Sequence, residues 1–206
     1  MSHHIYTTPG FVIDSRALGE AGKLLFIFTR ELGLVMAIAQ GVRLDQSKLR
    51  YYTQDFSYGI FSLVRGREVW RLVGASEVAG ENAGYRSMMS STLYVRVLAL
   101  LRRLLHGEEA NPALFDVLLG AVTFFSSKAF ATIDIPQAEK YTLAECVVVL
   151  RVLHLLGYVG DVTALNVFFA KQSGVSVWDK DALLKMRAVK SLAVKHINAG
   201  LKESQL

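Results

Sequence analysis

From residue 10 to about residue 75 the chain is cut into five short apolar runs, Phe11-Val12-Ile13, 24–29, 34–39, 59–64 and 69–73, and this punctuation constrains the fold most. Short apolar runs rich in β-branched residues and bounded by glycine are the pattern of strands. The breakers stand where turns are needed: Gly19 and Gly22 after the first run, Gly33 after the second, Gly41 after the third and Gly66 after the fourth. Past Val78 the texture changes. Ala79-Gly80-Glu81-Asn82-Ala83-Gly84 reads as a linker, and beyond it apolar residues recur at helical spacing.

In that second part, 86–106 presents Leu93, Val97, Leu100, Leu101 and Leu104 on one side and stops near Gly107. Pro112 opens a helix that continues through Phe115, Leu118, Leu119 and Val122 to about Ala131. Thr142, with Glu145 three residues on, predicts a capping box that starts a helix reaching Leu156 before Gly157. After 162–170 and a Ser173-Gly174 break, Asp179 or Asp181 caps a last helix to about Gly200. Five strands with a longer insert between the third and fourth predict an OB-fold, a five-stranded Greek-key β-barrel that commonly carries oligonucleotides on one face. A short apolar run also fits buried helix, and periodicity alone leaves that open. The fold class is therefore mixed α+β in two domains, an OB-fold barrel over 1–78 and an all-α helical domain over 79–206.

The 206 residues are 52% hydrophobic with a mean hydropathy of +0.32, so membrane spans have to be considered. None is expected. Arg96, Arg102 and Arg103 cut the apolar stretch 93–105, and Asp116 interrupts 113–125, whereas a span needs about 20 largely uncharged residues. The excess apolarity points to grooves or patches that meet a partner. Met1-Ser2-His3-His4 has no basic region leading into an apolar stretch, so no export signal is expected and a cytoplasmic protein is. The single cysteine, Cys146, makes no internal disulfide and builds no structural zinc site. A formal charge of +5 suits a polyanionic partner.

The motifs of several enzyme classes are missing: the sequence has no P-loop, nucleophile elbow, His-Glu-x-x-His or Gly-x-Gly-x-x-Gly. His106 and His154 stand alone on predicted helices and read as satisfied or surface residues. Glu108 and Glu109 read as solvated loop charges. Cys146, in the run Cys146-Val147-Val148-Val149-Leu150, reads as a small core residue. No catalysis is expected.

The first domain carries Arg16, Lys23, Arg30, Arg43, Lys48, Arg50, Arg65, Arg67 and Arg71 against Asp14, Glu20, Glu31, Asp45, Asp55, Glu68 and Glu77, a net of +2. Clustering therefore matters more than net charge. In a barrel, strand ends and turns gather at one mouth, and Tyr51, Tyr52, Tyr58 and Trp70 are interleaved with the cations as stacking surfaces for unpaired bases. Phe61 and Trp70 fit the core equally well. The segment 41–52 concentrates Arg43, Lys48 and Arg50 with Tyr51 and Tyr52, the chemistry of a loop that neutralises phosphates and releases their counterions; a solvated turn has the same composition. In the last helix Met186, Val189, Ala193, Ile197 and Leu201 share one face, with Lys185, Lys195 and Lys202 largely opposite. That basic side is either simply solvated or an auxiliary phosphate contact, for which Lys195 is the candidate.

The order of these residues resembles the RecO family of bacterial recombination mediators. The motifs are Tyr6-Thr7-Thr8-Pro9-Gly10-Phe11-Val12-Ile13 into Ser15-Arg16, Gly19-Glu20-Ala21-Gly22-Lys23-Leu24-Leu25 and Phe28-Thr29-Arg30-Glu31-Leu32-Gly33. They continue through Ala39-Gln40-Gly41-Val42-Arg43, Ser47-Lys48-Leu49-Arg50 and Phe56 to Arg65-Gly66-Arg67 and Leu72. Asn111-Pro112-Ala113-Leu114-Phe115 and Leu153-His154-Leu155-Leu156-Gly157-Tyr158 look like the family's helical signatures. The resemblance implies an N-terminal OB-fold joined to a helical domain, and a non-enzymatic protein that binds single- and double-stranded DNA and anneals complementary strands. It further implies that, with RecR, the protein helps load RecA onto DNA coated by single-stranded DNA-binding protein. By position, Arg16, Arg43, Lys48, Arg50 and Arg67 match basic residues of the family motifs, and Gly10, Gly33 and Gly41 match its turn glycines. Arg65 and Tyr51 complete the expected DNA-contact set in the barrel.

Three departures separate the chain from the family pattern. Many members carry a four-cysteine zinc module after the Leu-Gly-Tyr signature; here no cysteine follows Tyr158, so neither zinc nor any other cofactor is expected. Gln40 replaces a lysine and Asp55 a proline, which lowers the local positive potential. Val147-Val148-Val149 stands where an Arg-Phe-Glu triplet is usual. If that arginine receives the acidic, apolar-tipped tail of the single-stranded DNA-binding protein, Arg102 or Arg151 has to substitute. The alternative reading is a helical interaction scaffold whose DNA contact is incidental.

Overall fold

The computed structural model describes residues 4–78, 92–169 and 178–204. The linker 79–84, the first predicted helical residues 86–91 and the Ser173-Gly174 break lie outside them. Five strands, β1 (Ile5–Leu18), β2 (Gly22–Thr29), β3 (Gly33–Ala39), β4 (Tyr58–Arg65) and β5 (Trp70–Ser76), close into a barrel in the order β1-β2-β3-β5-β4. This is the OB-fold arrangement. All neighbours are antiparallel except β3 and β5, which meet in parallel at Ala37↔Trp70 and Ile38↔Arg71.

The one long departure from the sequence reading is β1. Its apolar centre, Phe11-Val12-Ile13, suggests a short strand, yet β1 has 14 residues because it serves two partners. Ile5 to Phe11 pair with β4, and Gly10 to Leu18 pair with β2, with a bulge between Val12 and Asp14. A bulge bends a strand and lets it turn a barrel corner. Gly10 belongs to both ladders and is no turn glycine: a Cβ there would approach Ile27 Cγ2 to 2.8 Å.

Alternation decides the barrel core. Val12, Leu25, Ile27, Val35, Ala37, Phe61, Leu63, Trp70 and Leu72 point inward and form one buried cluster. Phe61 and Trp70 are therefore core residues, not stacking platforms, and Tyr58 is buried against Phe11, ring centroids 4.5 Å apart. Full burial of such side chains contributes about 1.5–3 kcal/mol each.

The insert 40–57 is a run of turns fastened to the barrel. Val42 joins the core and Leu49 packs against it. The Phe56 N–H donates to Val12 O at 2.7 Å, and Lys23 Nζ donates to the Thr53 carbonyl at 2.9 Å.

The helices are α1 (Thr92–Leu104), α2 (Pro112–Phe125), α3 (Lys128–Ala131), α4 (Gln137–Leu155), α5 (Asn166–Phe169) and α6 (Lys180–Glu203). Packing divides the chain into one unit of Met1–Ala83 with Leu98–Phe115 and another of Gly84–Val97 with Asp116–Leu206. The end of α1 and the start of α2 thus belong with the barrel, although the sequence reading assigned everything after Val78 to one helical domain.

Within the barrel unit Phe115 packs on Phe11 and Phe28 at centroid distances of 5.2 and 5.7 Å. Gly33, at φ +72°, lies so close to the Glu109 backbone that a Cβ would come within 2.3 Å of its carbonyl oxygen. No side chain fits there.

In the other unit α4 packs on α6. Two helical expectations fail in this unit. The helix from Pro112 stops at Phe125, because Ser127 caps a separate turn through the Phe130 N–H, rather than continuing to Ala131. Thr142 is no N-cap: α4 begins at Gln137, after Pro136, and the Thr142 hydroxyl donates to Ala138 O at 2.9 Å inside the helix. Asp179 does cap α6, accepting from the Ala182 N–H at 2.7 Å. Lys140, buried beneath α3, donates to Phe130 O and Ala131 O, both at 3.1 Å, which satisfies carbonyls at a helix end. No helix among the described residues is long and apolar enough to cross a membrane.

Candidate nucleic-acid interface

Because inward residues alternate with outward ones, the core positions identify the outer face. Leu25, Ala37 and Leu72 point in, so Leu24, Ile38 and Arg71 point out. Register then aligns four strands in one row: Arg16 opposite Leu24, Leu24 opposite Ile38, Ile38 opposite Arg71. Guanidinium groups thus flank an apolar strip that continues into Met36 and Val73, 44% and 50% exposed. One row over, the outward ring of Phe26 is covered by two guanidiniums, Arg16 at 5.4 Å and Arg102 at 4.0 Å from its centroid.

The β4–β5 turn rises beside this row. Ile38, Arg65, Gly66, Arg67, Glu68, Val69 and Arg71 line an open groove of about 680 Å³. Its lining holds three arginines and one glutamate, and with Arg65 paired to Glu108 the balance stays positive, a potential that attracts anions.

The structure separates engaged cations from available ones. Arg65 pairs with Glu108 and lies 4.9 Å over the Trp70 ring. Glu108, expected to be a solvated charge, also receives the Trp70 indole N–H. Arg50 pairs with Asp45, and Arg43 donates to the Gly19 carbonyl at 3.2 Å, tying the insert to the β1–β2 turn. Arg102 pairs with Asp14 at 3.2 Å. Among the described residues Arg16, Lys48, Arg67 and Arg71 face no carboxylate within ion-pairing distance. Arg43 thus holds a backbone carbonyl, Arg50 an acid of its own insert and Arg65 an acid 43 positions on, while Arg102 holds both Asp14 and the face of the Phe26 ring.

Of the expected site residues, Arg16 stands in the outer row, Arg65 and Arg67 line its groove, and Arg43, Lys48, Arg50 and Tyr51 stand on the insert, all of them exposed. Tyr51 is 48% exposed and meets Tyr52 edge-on at 5.2 Å. Lys195 is exposed on α6, in the other unit. Arg151, in that same unit, lies 5.0 Å over the Trp178 ring, and burial pushes its guanidinium below its ordinary value. His154 shares a hydrogen with Val159 O at 2.9 Å and stacks on Phe169 at 3.8 Å, so it is a satisfied residue. Cys146 is buried, and desolvation pushes its thiol up.

Sequence reasoning named Arg71 among the basic residues but did not select it. Its place between core residues Trp70 and Leu72 is the signal that puts it on the outer face. Nothing local could have paired Glu108 with Arg65.

Comparison with known proteins places this geometry. Residues 1–79 match the family model described as "Recombination protein O N terminal". Over 119 residues the chain is 29% identical to a DNA repair protein RecO of Dehalococcoides mccartyi, covering 58% of this chain and 47% of that protein. Over 63 residues it is 43% identical to the DNA repair protein RecO of Alkaliphilus metalliredigens, covering 31% and 26%. Over 154 residues it is 29% identical to that of Heliobacterium modesticaldum, covering 75% and 52%. The chain spans about half the length of most of the curated relatives it matches.

Proposed function

Because this chain belongs to the RecO family, we propose that it is a non-enzymatic DNA repair and recombination mediator of the cytoplasm. In this role it binds single- and double-stranded DNA, anneals complementary strands and, with RecR, assists RecA loading onto DNA coated by single-stranded DNA-binding protein. The observation that carries the DNA-binding part is the outward row Arg16–Leu24–Ile38–Arg71 beside the groove of Arg65 and Arg67. Guanidiniums without a carboxylate partner are free to exchange counterions for phosphates, which supplies sequence-independent affinity. The barrel of 1–78 holds this surface, and 98–115 supports it from within the same unit.

The insert takes a smaller share than its composition suggests, since Arg43 and Arg50 already hold Gly19 O and Asp45. Lys48 and Tyr51 remain its contact residues, and Lys195 is an auxiliary one. For the acidic tail of the single-stranded DNA-binding protein, Arg151 is the better candidate, because Arg102 is committed to Asp14 and Phe26.

The test is DNA binding and strand annealing by the whole chain across a salt series. For single strands, log affinity falls with log salt by about 0.7 per phosphate contact. Arg16, Arg67 and Arg71 changed together to alanine lower affinity and flatten that slope for all sequences. A wild-type chain whose binding ignores salt, or an altered chain that anneals normally, overturns the reading. If residues 79–206 alone capture the partner proteins while barrel substitutions leave annealing intact, the scaffold reading takes its place.

A further inference from the structure

Among the described residues of the barrel unit, Tyr6 and Tyr51 are the exposed Phe, Tyr or Trp side chains, 39% and 48% accessible. Tyr6 pairs with the core residue Leu63, so it points toward the barrel interior at the end where Trp70 lies. There it meets the Trp70 ring at 5.2 Å and 89°, and exposed His4 meets Tyr6 at 4.4 Å and 78°. Arg65 packs over the same Trp70 and lines the groove that continues to Arg67 and Arg71. A partly exposed ring, held by aromatic neighbours, thus shares Trp70 with Arg65, one of the arginines that line the groove.

We infer that Tyr6 is a base-stacking residue for an unpaired nucleotide whose phosphates lie in the arginine groove. The inference rests on the DNA-binding reading above and adds the element that distinguishes strand types. Phosphate contacts alone serve duplex and single strand alike, whereas a ring face is useful only to a base that has left its stack. Tyr6 is suited to this because its contacts with Trp70 and His4 already restrict it, so little side-chain freedom is lost on binding. Tyr58, Phe61 and Trp70 are buried and offer no such surface. Tyr51 stands on the insert, beside the paired Arg50, and leads to no comparable groove.

The experiment uses the full chain with Trp178→Phe, which leaves Trp70 as the sole tryptophan of the two in the sequence. Fluorescently labelled oligo(dT) and a blunt duplex of the same length are titrated onto this protein and onto its Tyr6→Leu and Tyr6→Phe versions. Stacking of a base on Tyr6 alters the emission of adjacent Trp70 when oligo(dT) binds. Tyr6→Leu lowers oligo(dT) affinity by at least about fivefold, the lower end of what one stacked base contributes, and leaves duplex affinity unchanged. Tyr6→Phe retains both. Equal loss on both DNAs, or no loss on either, overturns the stacking role while leaving the DNA-binding reading standing. A wild-type chain that binds neither DNA overturns the DNA-binding reading itself.

Discussion

Trp70 donates its indole N–H to Glu108 Oε1 at 3.0 Å, and the other oxygen of that carboxylate pairs with Arg65. One acid, from the segment between α1 and α2, thereby holds the buried end of β5 and neutralises a groove arginine. Glu108→Gln keeps an acceptor for the indole and removes the charge. It is expected to raise DNA affinity and steepen its salt dependence, because Arg65 is released to phosphate. Glu108→Ala also leaves the indole without an acceptor, which costs about 1–3 kcal/mol. Denaturant unfolding of the two variants beside salt-dependent binding separates these effects.

Phe115 closes the outward aromatic cluster of Phe11, Phe28 and Tyr58. Phe115→Ala is expected to destabilise the barrel unit by about 3–5 kcal/mol. For the same reason a chain ending at Val78 should be less stable than one that keeps Leu98–Phe115, since Phe11 and Phe28 lose their cover. Thermal unfolding of the two lengths reads the difference directly. Equal midpoints would contradict the role given to Phe115.

Lys140 in the helical unit directs its ammonium to carbonyls of residues 130 and 131 and lies 5.1 Å from the Phe130 ring centroid. Lys140→Met fills the space but leaves those carbonyls without their donor. The expected loss is about 1–3 kcal/mol, with no change in DNA affinity, measured by urea denaturation and by oligonucleotide titration.

The Cys146 thiol is held above its ordinary value of 9.0 by burial, which favours its neutral form in the folded state. A raised folded value means that the native protein keeps the proton longer than the unfolded chain does. The contribution to stability is therefore full below pH 9.0 and is lost as pH rises from there through the folded value. Cys146→Ser is expected to remove that alkaline component. In the wild type, modification by a thiol reagent at neutral pH should proceed only as fast as the unit opens.

The strands, their turns and the helical character of the later residues were legible in the sequence, because strand alternation, helical spacing and glycine breaks are local properties of the chain. Asp179 as the cap of α6 is of the same kind. Where a local signal competed with packing it misled: Thr142 has capping-box spacing, yet the helix is capped at Pro136, six residues earlier than that box requires. The length of β1 was hidden for a related reason, since one strand serving two partners needs the barrel to close before its ends have anything to bond.

The candidate site divides along the same line. Its residue types, arginines with tyrosines in the first 78 residues, were evident from sequence. Which cations are available was not. Asp14 and Arg102 are 88 positions apart, and Arg65 and Glu108 are 43 apart, so only the folded chain decides that these arginines are engaged while Arg16, Lys48, Arg67 and Arg71 face no carboxylate among the described residues. Sequence alone determined that a basic OB-fold barrel would form. Tertiary structure alone decided which face carries its charge, because ion pairing and cross-strand register depend on distance in space, and separation along the chain does not report it.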